Sequence, residues 1–541
     1  MSRTSATASS TGAPPATAGR RARRRVALPG AIGTVIIVAT LVGLALRLYQ
    51  LSRPGYLLGI TEYDDGTDFG SAVRLVHGAL PYRDFIMVQP PGITLLMAPV
   101  ALATKTLGTV SGMAAARVLT ALASAAAVPL GGLLTRHRGL VAVTVTCGIL
   151  AVYPDSLLAA RTVLLEPWLV LGCLLGALAV FDGDRLASGR RLLWGGLAFG
   201  FAGAVKVWAI LPVLVIIALT ARRPRDAARF AAGVAVGFLA AVLPFALLAP
   251  GTFYRGVILA QLVRADLARV PLGFRLQHML GLTHAPQLPT PALVAIAAAV
   301  IVIIAGLSVL SVLAVRLTHQ APPALEKFAT ATFALVAVAF LWPSDFYNHY
   351  SAFLAPFLAL AIALPLSRVL GAPAVVGARA RRMVLLRRGA ALLAVLTLTA
   401  FAALQAAAES HLAAAIPASE ISAAERVIPP GACVLSDQMS YTIAIDRFAS
   451  TAPGCSTMVD GVGSDYALSG GRNGLTGAGN VPAVEQLWMS AFRAAQYLWL
   501  TSDNTRRIPW TPRLRVYFLA NFVPLTQGPD WLYVRKAGHS R

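Results

Sequence analysis

Long apolar runs separated by short polar stretches occupy most of residues 26–408. The runs are rich in Leu, Ala, Val and Ile, and many approach the roughly 20 residues that a helix needs to cross a bilayer. They lack the alternation of period two that marks outer-membrane strands, which favours helices. The clearest runs cover residues 31–48, 230–248, 292–315, 333–342, 351–364 and 390–408. The pattern therefore predicts an all-α polytopic membrane domain.

The pattern changes after residue 408. Residues 409–541 have ordinary polarity and carry turn signals such as Pro429-Pro430-Gly431. Short β-like runs alternate there with helical stretches, the former at 433–436 and 531–535, the latter at 484–497 and 513–521. This alternation predicts a small C-terminal α/β domain.

Composition supports the membrane class. Hydrophobic residues make up 57% of the chain and charged residues only 13%, whereas about a quarter of the residues in a soluble domain are charged. The net charge of +23 does not indicate nucleic-acid binding, because the basic residues fall in short patches between the apolar runs. These patches lie at 20–25, 136–138, 185–191, 222–229, 316–327 and 368–388.

The basic patches orient the chain, because cytoplasmic loops of membrane proteins carry an excess of Lys and Arg. With every patch inside, residues 1–25 form a disordered cytoplasmic tail and residues 49–91 form the first outer loop. The chain crosses the plasma membrane about eleven times, beginning with a retained signal anchor, which makes the C-terminal domain extracytoplasmic. Residues 92–107 are re-entrant or interfacial, and residues 192–220 hold two short crossings that turn near Lys206.

The four cysteines divide between the two parts of the chain. Cys433 and Cys455 lie in the domain that this topology places outside, where a cysteine pair usually forms a disulfide. Two buried thiols are the alternative. Cys147 and Cys173 lie in apolar runs and are most simply core residues.

Several carboxylates fall on the predicted outer face. Carboxylates at the edge of a bilayer are costly to desolvate and usually mark a functional site. For Glu62, Asp68 and Asp266 we expect only solvation of a loop. The remaining candidates are Asp64, Asp65, Asp84, Asp155, Glu166 and Asp345.

Short motifs follow one another through the first outer loop. They are Tyr63-Asp64-Asp65-Gly66, then the sequence GALPYRDF at 78–85, then Gln89-Pro90-Pro91-Gly92. This order resembles the first outer loop of the GT-C superfamily of membrane glycosyltransferases, in the branch of the protein O-mannosyltransferases and the lipid A aminoarabinose transferase. The segments 161–167, 196–206 and 346–350 resemble later motifs of the same branch. Gln89 departs from the pattern, since relatives often have His or Lys there.

Glycosyl transfer from a lipid phosphate requires a base for the acceptor's proton and cations for the departing phosphate. We predict Asp64 as the base. Asp65 orients an acceptor, binds a divalent metal, or caps the helix that follows Gly66. Arg161 and Lys206 are the predicted phosphate-binding cations, although a lysine at a helix end also snorkels to the interface.

The resemblance supplies the rest of the predicted site. Glu166 pairs with Arg161 or joins Asp65 as a metal ligand, in which case Mg²⁺ or Mn²⁺ would be the cofactor. His349 and Tyr350 line the lipid-phosphate side, unless they belong to an interfacial aromatic belt. Residues of the loop motifs are predicted to contact substrate, namely Tyr82, Asp84 and Gln89.

These features predict a glycosyltransferase that moves one sugar from a polyprenyl-phosphate donor to a glycan, lipid or protein acceptor on the extracytoplasmic face. The resemblance implies the donor type and inversion at the sugar. The chain has no phosphate-binding loop of the Walker type and no zinc-spaced cluster of Cys and His. The alternatives are a transporter or flippase of a lipid-linked sugar and a non-catalytic glycan-binding scaffold.

Overall fold

A computed structural model describes residues 30–264, 268–317, 323–371, 378–414 and 416–536. The predicted tail at 1–25 and Asp266 lie outside the described residues. Helices dominate as far as residue 410, and helices and short strands alternate beyond it.

Sixteen described helices make up the first part of the chain. They are α1 (Ala31–Leu51), α2 (Tyr63–Val76), α3 (Gly92–Thr135), α4 (Leu140–Val152), α5 (Pro154–Ala160), α6 (Leu165–Val180), α7 (Arg190–Val205), α8 (Ile210–Thr220), α9 (Pro224–Leu248), α10 (Pro250–Phe253), α11 (Ala260–Val263), α12 (Leu272–Met279), α13 (Thr290–Leu317), α14 (Ala324–Leu341), α15 (Ser351–Gly371) and α16 (Ala378–Ser410). A two-stranded hairpin, β1 (Phe181–Asp182) and β2 (Arg185–Leu186), joins α6 to α7.

Within the described residues, seven helices are long and apolar enough to cross a membrane, and the bent pair α4 and α5 would be an eighth span. Helix α6 and residues 207–220 are apolar but shorter. The chain is thus a multi-pass membrane protein with an all-α membrane domain, as predicted. The count of about eleven crossings stays a prediction.

The helices are interrupted in the two segments that the sequence predicted to be short or re-entrant. Helix α7 ends at Lys206, whose backbone is extended, and a 3₁₀ turn at Val207–Ala209 leads into α8. The segment predicted as re-entrant or interfacial forms the first part of α3, which is interrupted at Gly108. Gly108 has a φ of 80°, a conformation that residues with a Cβ rarely adopt.

The C-terminal domain contains α17 (Ala418–Val427), α18 (Met439–Ile443), α19 (Gly461–Ser469), α20 (Pro482–Ala494) and α21 (Pro512–Asn521). Its strands are β3 (Val434–Leu435), β4 (Tyr497–Trp499), β5 (Phe522–Pro524) and β6 (Leu532–Arg535), in the order β3-β4-β6-β5. Strands β3 and β4 are parallel, and β6 is antiparallel to both of its neighbours. A disulfide joins Cys433 to Cys455. The free thiols Cys147 and Cys173 are buried.

The C-terminal domain packs directly on α2. Phe69 and Val73 of α2 share one apolar core with residues of the domain such as Met439 and Trp488. The approach is so close at Gly66 that a Cβ there would lie 2.2 Å from the backbone nitrogen of Ser440. Gly66, which follows the Asp64-Asp65 pair, therefore allows the C-terminal domain to pack closely against α2.

Asp446 of the C-terminal domain caps the second part of α3. Its carboxylate accepts hydrogen bonds from the backbone nitrogen of Thr109, from the hydroxyl of Thr109 (2.9 Å) and from the backbone nitrogen of Val110 (3.1 Å). Asp446→Ala should destabilise the protein by about 1–2 kcal/mol, the usual effect of losing a cap. A lower melting temperature in detergent, with Asp530→Ala at an exposed position as control, would show this. Equal melting of both variants would contradict the capping role.

Candidate active site

A cavity of about 380 Å³ lies between the membrane domain and the C-terminal domain. This volume falls in the range of small-molecule sites. Six stretches of the membrane domain contribute to it, around the start of α2, the loop before α3, the start of α6, the break after α7, the end of α11 and the start of α15. The lining side chains used below are Tyr63, Asp64, Asp68, Gln89, Glu166, Lys206, Arg264, His349, Tyr350, Asp460, Arg506 and Arg507.

The cavity brings together six of the predicted site residues, which come from five separate parts of the membrane domain. The same cavity excludes four others, namely Asp65, Tyr82, Asp84 and Arg161. The six that line it are Asp64, Gln89, Glu166, Lys206, His349 and Tyr350.

Asp64 is the second residue of α2 and is half-buried at the cavity wall. Within the described residues its carboxylate accepts no hydrogen bond and forms no salt bridge. The neighbouring Tyr63 hydroxyl is fixed, because it donates to Asp460 (2.9 Å) and accepts from the backbone nitrogen of Val462 (3.0 Å). The Asp64 carboxylate is thus positioned beside a rigid wall and is free to accept a proton from a bound molecule.

Lys206 enters the same cavity from the break between α7 and the 3₁₀ turn. Its Nζ donates to Glu166 and lies 4.1 Å from the ring centroid of Trp208 and 4.2 Å from that of Tyr350. The lysine is only 5% exposed, so the alternative of snorkelling to the interface is wrong. Glu166 pairs with Lys206 and not with Arg161.

His349 completes this corner of the cavity. Its Nε2 lies 3.9 Å from Glu166, and its ring stacks on that of Tyr347 at 5.7 Å between centroids. The Oε2 atom of Glu166 is buried without a hydrogen-bond partner in the described part of the chain. Aromatic rings, a carboxylate and two nitrogen bases thus surround one polar corner. Tyr350 contacts Lys206 and lines the cavity, whereas a residue of an interfacial aromatic belt would face the lipid headgroups.

Arginines that the sequence analysis did not select add positive charge to the cavity. Arg264 pairs with Asp345 at 2.5 Å and lies over the ring of Tyr466 at 4.3 Å. Arg507 donates to Gln438 (2.7 Å) and lies over the ring of Tyr63 at 5.2 Å. The sequence held no signal for Arg506 and Arg507, because arginines are common on the surface of a folded domain and the positive-inside rule does not apply so far from a membrane span.

Two further carboxylates at the cavity were also missed. Asp68 was expected to solvate a loop, but it lies one helical turn after Asp64, lines the cavity and is 3% exposed. Burial raises the pKa of Asp68 well above its usual value, and the nearby Asp64 raises it further. Asp460 belongs to the C-terminal domain and caps α19 by accepting a hydrogen bond from Gly463.

Asp65 does not reach the cavity, because the helical turn directs it into the protein. Its carboxylate is fully buried and accepts hydrogen bonds from Arg117, from Thr61 (3.1 Å) and from the backbone nitrogen of Val163 (2.8 Å). These partners occupy both oxygens. The predicted roles of Asp65 in catalysis and metal binding are therefore wrong, and the residue ties α2 to α3 and to the loop before α6.

Arg161 also lies away from the cavity. Its Nη2 is 3.9 Å from Glu62, and its guanidinium lies 5.1 Å from the ring centroid of Tyr56. Burial raises the pKa of Glu62 to about 7, and Arg161 works in the opposite direction. The structure thus places Arg161 outside the cavity where it was predicted to bind the donor phosphate. Glu62, which was expected only to solvate a loop, is the partner of Arg161.

Tyr82 and Asp84 shape the first loop instead of lining the cavity. The Tyr82 hydroxyl donates to the backbone oxygen of Gln89 (2.6 Å), which holds the Gln89 segment at the cavity wall. Asp84 is partly exposed, pairs with Arg83 at 2.8 Å and accepts from the backbone nitrogen of Leu80 (2.7 Å). The structure thus places Tyr82 and Asp84 outside the lining of the cavity, and their direct contacts with substrate stay a prediction.

Asp155, another of the candidate carboxylates, is fully buried next to His278, with 3.1 Å between Oδ1 and Nδ1. Thr283 donates to the same oxygen at 2.8 Å. Asp155 thus joins α5 to α12 and does not line the cavity.

The predicted metal ligands do not share a site. Asp65 is enclosed by Arg117, whereas Glu166 faces Lys206. In the described part of the chain, no three His, Cys, Asp or Glu side chains are grouped as metal ligands would be. The residues present do not fit Mg²⁺ or Mn²⁺ as predicted, so no catalytic step is assigned to a metal.

Asp460 should make the stability of the protein depend on pH. Burial raises its pKa from 3.8 to about 6. The folded chain then binds the proton more tightly than the unfolded chain, so the contribution is full below about pH 4 and is lost as the pH rises through about 6. Asp460→Asn stays neutral and should remove roughly 3 kcal/mol of this dependence. Unfolding measured across that pH range tests this, and equal slopes for variant and wild type would refute it.

No family model and no curated protein matches this sequence. Among solved structures, the chain is similar to ArnT from Cupriavidus metallidurans in the apo state, with a TM-score of 0.57 and 14% identity over 93% of this chain and 98% of that chain. For ArnT bound to undecaprenyl phosphate the TM-score is 0.48 and the identity 15%, over 76% and 84% of the two chains. For the Archaeoglobus fulgidus oligosaccharyltransferase in complex with Zn and sulfate the values are 0.49 and 13%, over 86% and 67%.

The match to nearly the whole of apo ArnT defines the class of fold, because it includes both the membrane helices and the C-terminal domain. This chain has the fold of the GT-C superfamily, as its first-loop motifs predicted. Within that superfamily, ArnT is the lipid A aminoarabinose transferase, a member of the branch that those motifs resemble.

Proposed function

We propose that this protein is a membrane glycosyltransferase that moves a sugar from a polyprenyl-phosphate donor to an acceptor hydroxyl. The reaction takes place in the cavity between the two domains, on the extracytoplasmic face. The observation that carries this proposal is that Asp64, a carboxylate without a partner among the described residues, and Lys206, a buried cation, line the same cavity.

In the proposed reaction, Asp64 accepts the proton of the acceptor hydroxyl as that oxygen bonds to the anomeric carbon. The bond between the anomeric carbon and the phosphate oxygen breaks at the same time, and polyprenyl phosphate leaves as the anion. A single displacement of this kind inverts the anomeric configuration. General base catalysis and stabilisation of the leaving anion are the two contributions required of the protein.

Lys206 is suited to hold the leaving phosphate. It is buried, so its interaction with an anion is screened less than at the surface. Glu166 and the rings of Trp208 and Tyr350 fix its position. The lysine therefore has to move little when negative charge develops on the leaving phosphate. His349 lies beside it and supplies a further nitrogen to the same corner.

The direct test supplies the purified protein in nanodiscs with radiolabelled polyprenyl-phosphate sugar and a membrane extract as the source of acceptor. A glycosyltransferase should release polyprenyl phosphate and transfer the label to a new product. The transporter alternative predicts movement of label across sealed vesicles without any product, and the scaffold alternative predicts neither. Mass spectrometry of a lipid-linked sugar that co-purifies with the protein would identify the donor.

A further inference from the structure

A second hollow, of about 540 Å³, lies beside the cavity and mostly within the C-terminal domain. We refer to it as the groove. It shares Arg506 and Arg507 with the cavity. Its remaining lining residues are Ile60, Thr61, Ile416, Gln438, Tyr441, Thr501, Ser502, Asn504 and Thr505.

One buried carboxylate holds the loop that forms the wall of the groove. Asp437 is 1% exposed and accepts hydrogen bonds from the backbone nitrogen of Thr501 (2.8 Å), the hydroxyl of Thr501 (2.5 Å) and the hydroxyl of Thr505 (2.6 Å). Both threonines are thereby committed to the interior. The residues between them remain on the surface of a loop whose two ends are fixed.

The outward side chains of this wall have no partners of their own. Within the described residues, the side chains of Ser502, Asn504 and Arg506 and the hydroxyl of Tyr441 make no hydrogen bond. The ring of Tyr441 is fixed by edge-on packing against Trp499, at 4.7 Å between centroids. The groove thus offers hydroxyl, amide and guanidinium groups on a loop whose two ends are fixed, and no carboxylate is among its described lining residues.

This chemistry fits a carbohydrate better than a peptide. Hydroxyls and amides both donate and accept hydrogen bonds, as the hydroxyls of a sugar require. Peptide-binding surfaces typically use sheet edges, apolar grooves or clusters of Arg. Among the described lining residues of the groove, only Ile60 and Ile416 are aliphatic, and the uncharged polar side chains outnumber the two arginines.

The groove and the cavity lie on either side of one segment. Ile60 and Thr61 line the groove, and Tyr63 and Asp64, which follow after Glu62, line the cavity. Arg507 spans the boundary, since it contacts Gln438 in the groove and the ring of Tyr63 in the cavity. We infer that the groove binds the acceptor, that the acceptor is a carbohydrate, and that its reacting hydroxyl reaches Asp64 past Arg506 and Arg507; this inference rests on the proposed function.

The test measures acceptor binding separately from catalysis. Full-length protein in nanodiscs is applied to an array of neutral and carboxylated oligosaccharides and to an array of peptides rich in serine and threonine. Wild type should be retained on oligosaccharides. Ser502→Ala/Asn504→Ala should weaken that retention by about tenfold or more, since two hydrogen bonds are lost. Both substitutions are on the wall of the groove and outside the cavity.

A control variant and the consumption of donor separate the possible failures. Gln527→Ala, on the exposed turn between β5 and β6, should bind like wild type. Retention on peptides alone, retention on neither array, or equal binding by the double variant and wild type would overturn the inference. Consumption of labelled donor by a protein that binds no oligosaccharide would refute the groove and leave the proposed function standing. Oligosaccharide binding without donor consumption would refute the proposed function and leave the carbohydrate-binding groove standing.

Discussion

Asp64→Asn is expected to lower the rate of sugar transfer by about 10²–10⁴-fold, the usual contribution of a general base. Asn has nearly the same shape but cannot accept the proton of the acceptor hydroxyl. Because the Asp64 carboxylate has no hydrogen bond or salt bridge to lose within the described residues, the substitution should leave folding intact. Transfer of label from polyprenyl-phosphate sugar, together with the melting temperature of the same preparation, measures both effects.

The matched control is Asp182→Asn in the hairpin between α6 and α7, where the side chain is 77% exposed. It removes the same charge far from the cavity and should retain full activity. Undiminished transfer by Asp64→Asn would show that another group accepts the proton. Loss of activity together with early unfolding would assign Asp64 to the structure of α2 instead of to the reaction.

The second large effect concerns the ion pair between Arg117 and Asp65. Both side chains are almost completely buried, at 1% and 0% exposure. Arg117→Met leaves a buried carboxylate without its counter-charge, which typically costs about 3–5 kcal/mol. The melting temperature should therefore fall markedly.

A double variant shows whether the charge is the cause. Arg117→Met/Asp65→Asn removes both charges and should recover much of the lost stability, since replacing a buried pair by neutral groups is often nearly neutral. Arg83→Met, which breaks an exposed pair with Asp84, should cost less than about 1 kcal/mol. If the double variant melts as early as Arg117→Met, the buried charge is not the cause. If it folds and also transfers sugar, Asp65 is shown to be structural.

The neighbouring residues Asp64 and Asp65 show how far sequence reasoning reaches. The motif marked the pair, but consecutive residues of a helix point about 100° apart, and the sequence does not show which direction faces the cavity. Lys206 could be placed because the basic patches on both sides required a turn near it. Arg161 resembled a motif residue in type and position, yet its side chain turns to Glu62.

The contribution of the C-terminal domain to the site escaped sequence analysis for a different reason. Apolar runs and turn signals predicted a separate small domain, and the structure contains one. However, Asp460 and Arg507 contact Tyr63, which lies far from both of them in the sequence. The local pattern of apolar and polar residues does not predict such long-range contacts. The strand at Tyr497–Trp499 was likewise predicted in part as helix, because the preceding helix is strongly amphipathic and gave no signal for its end.

The close seating of Ser440 against Gly66 has a consequence for biosynthesis. A ribosome that has made the chain as far as Lys206 has produced Asp64, Glu166 and Lys206, but the residues of the C-terminal domain that line the cavity are not yet translated. An incomplete chain therefore exposes Asp64 without the enclosure in which a lipid-borne sugar could react. The cavity is complete only when the last-made segment has folded onto the first-made one.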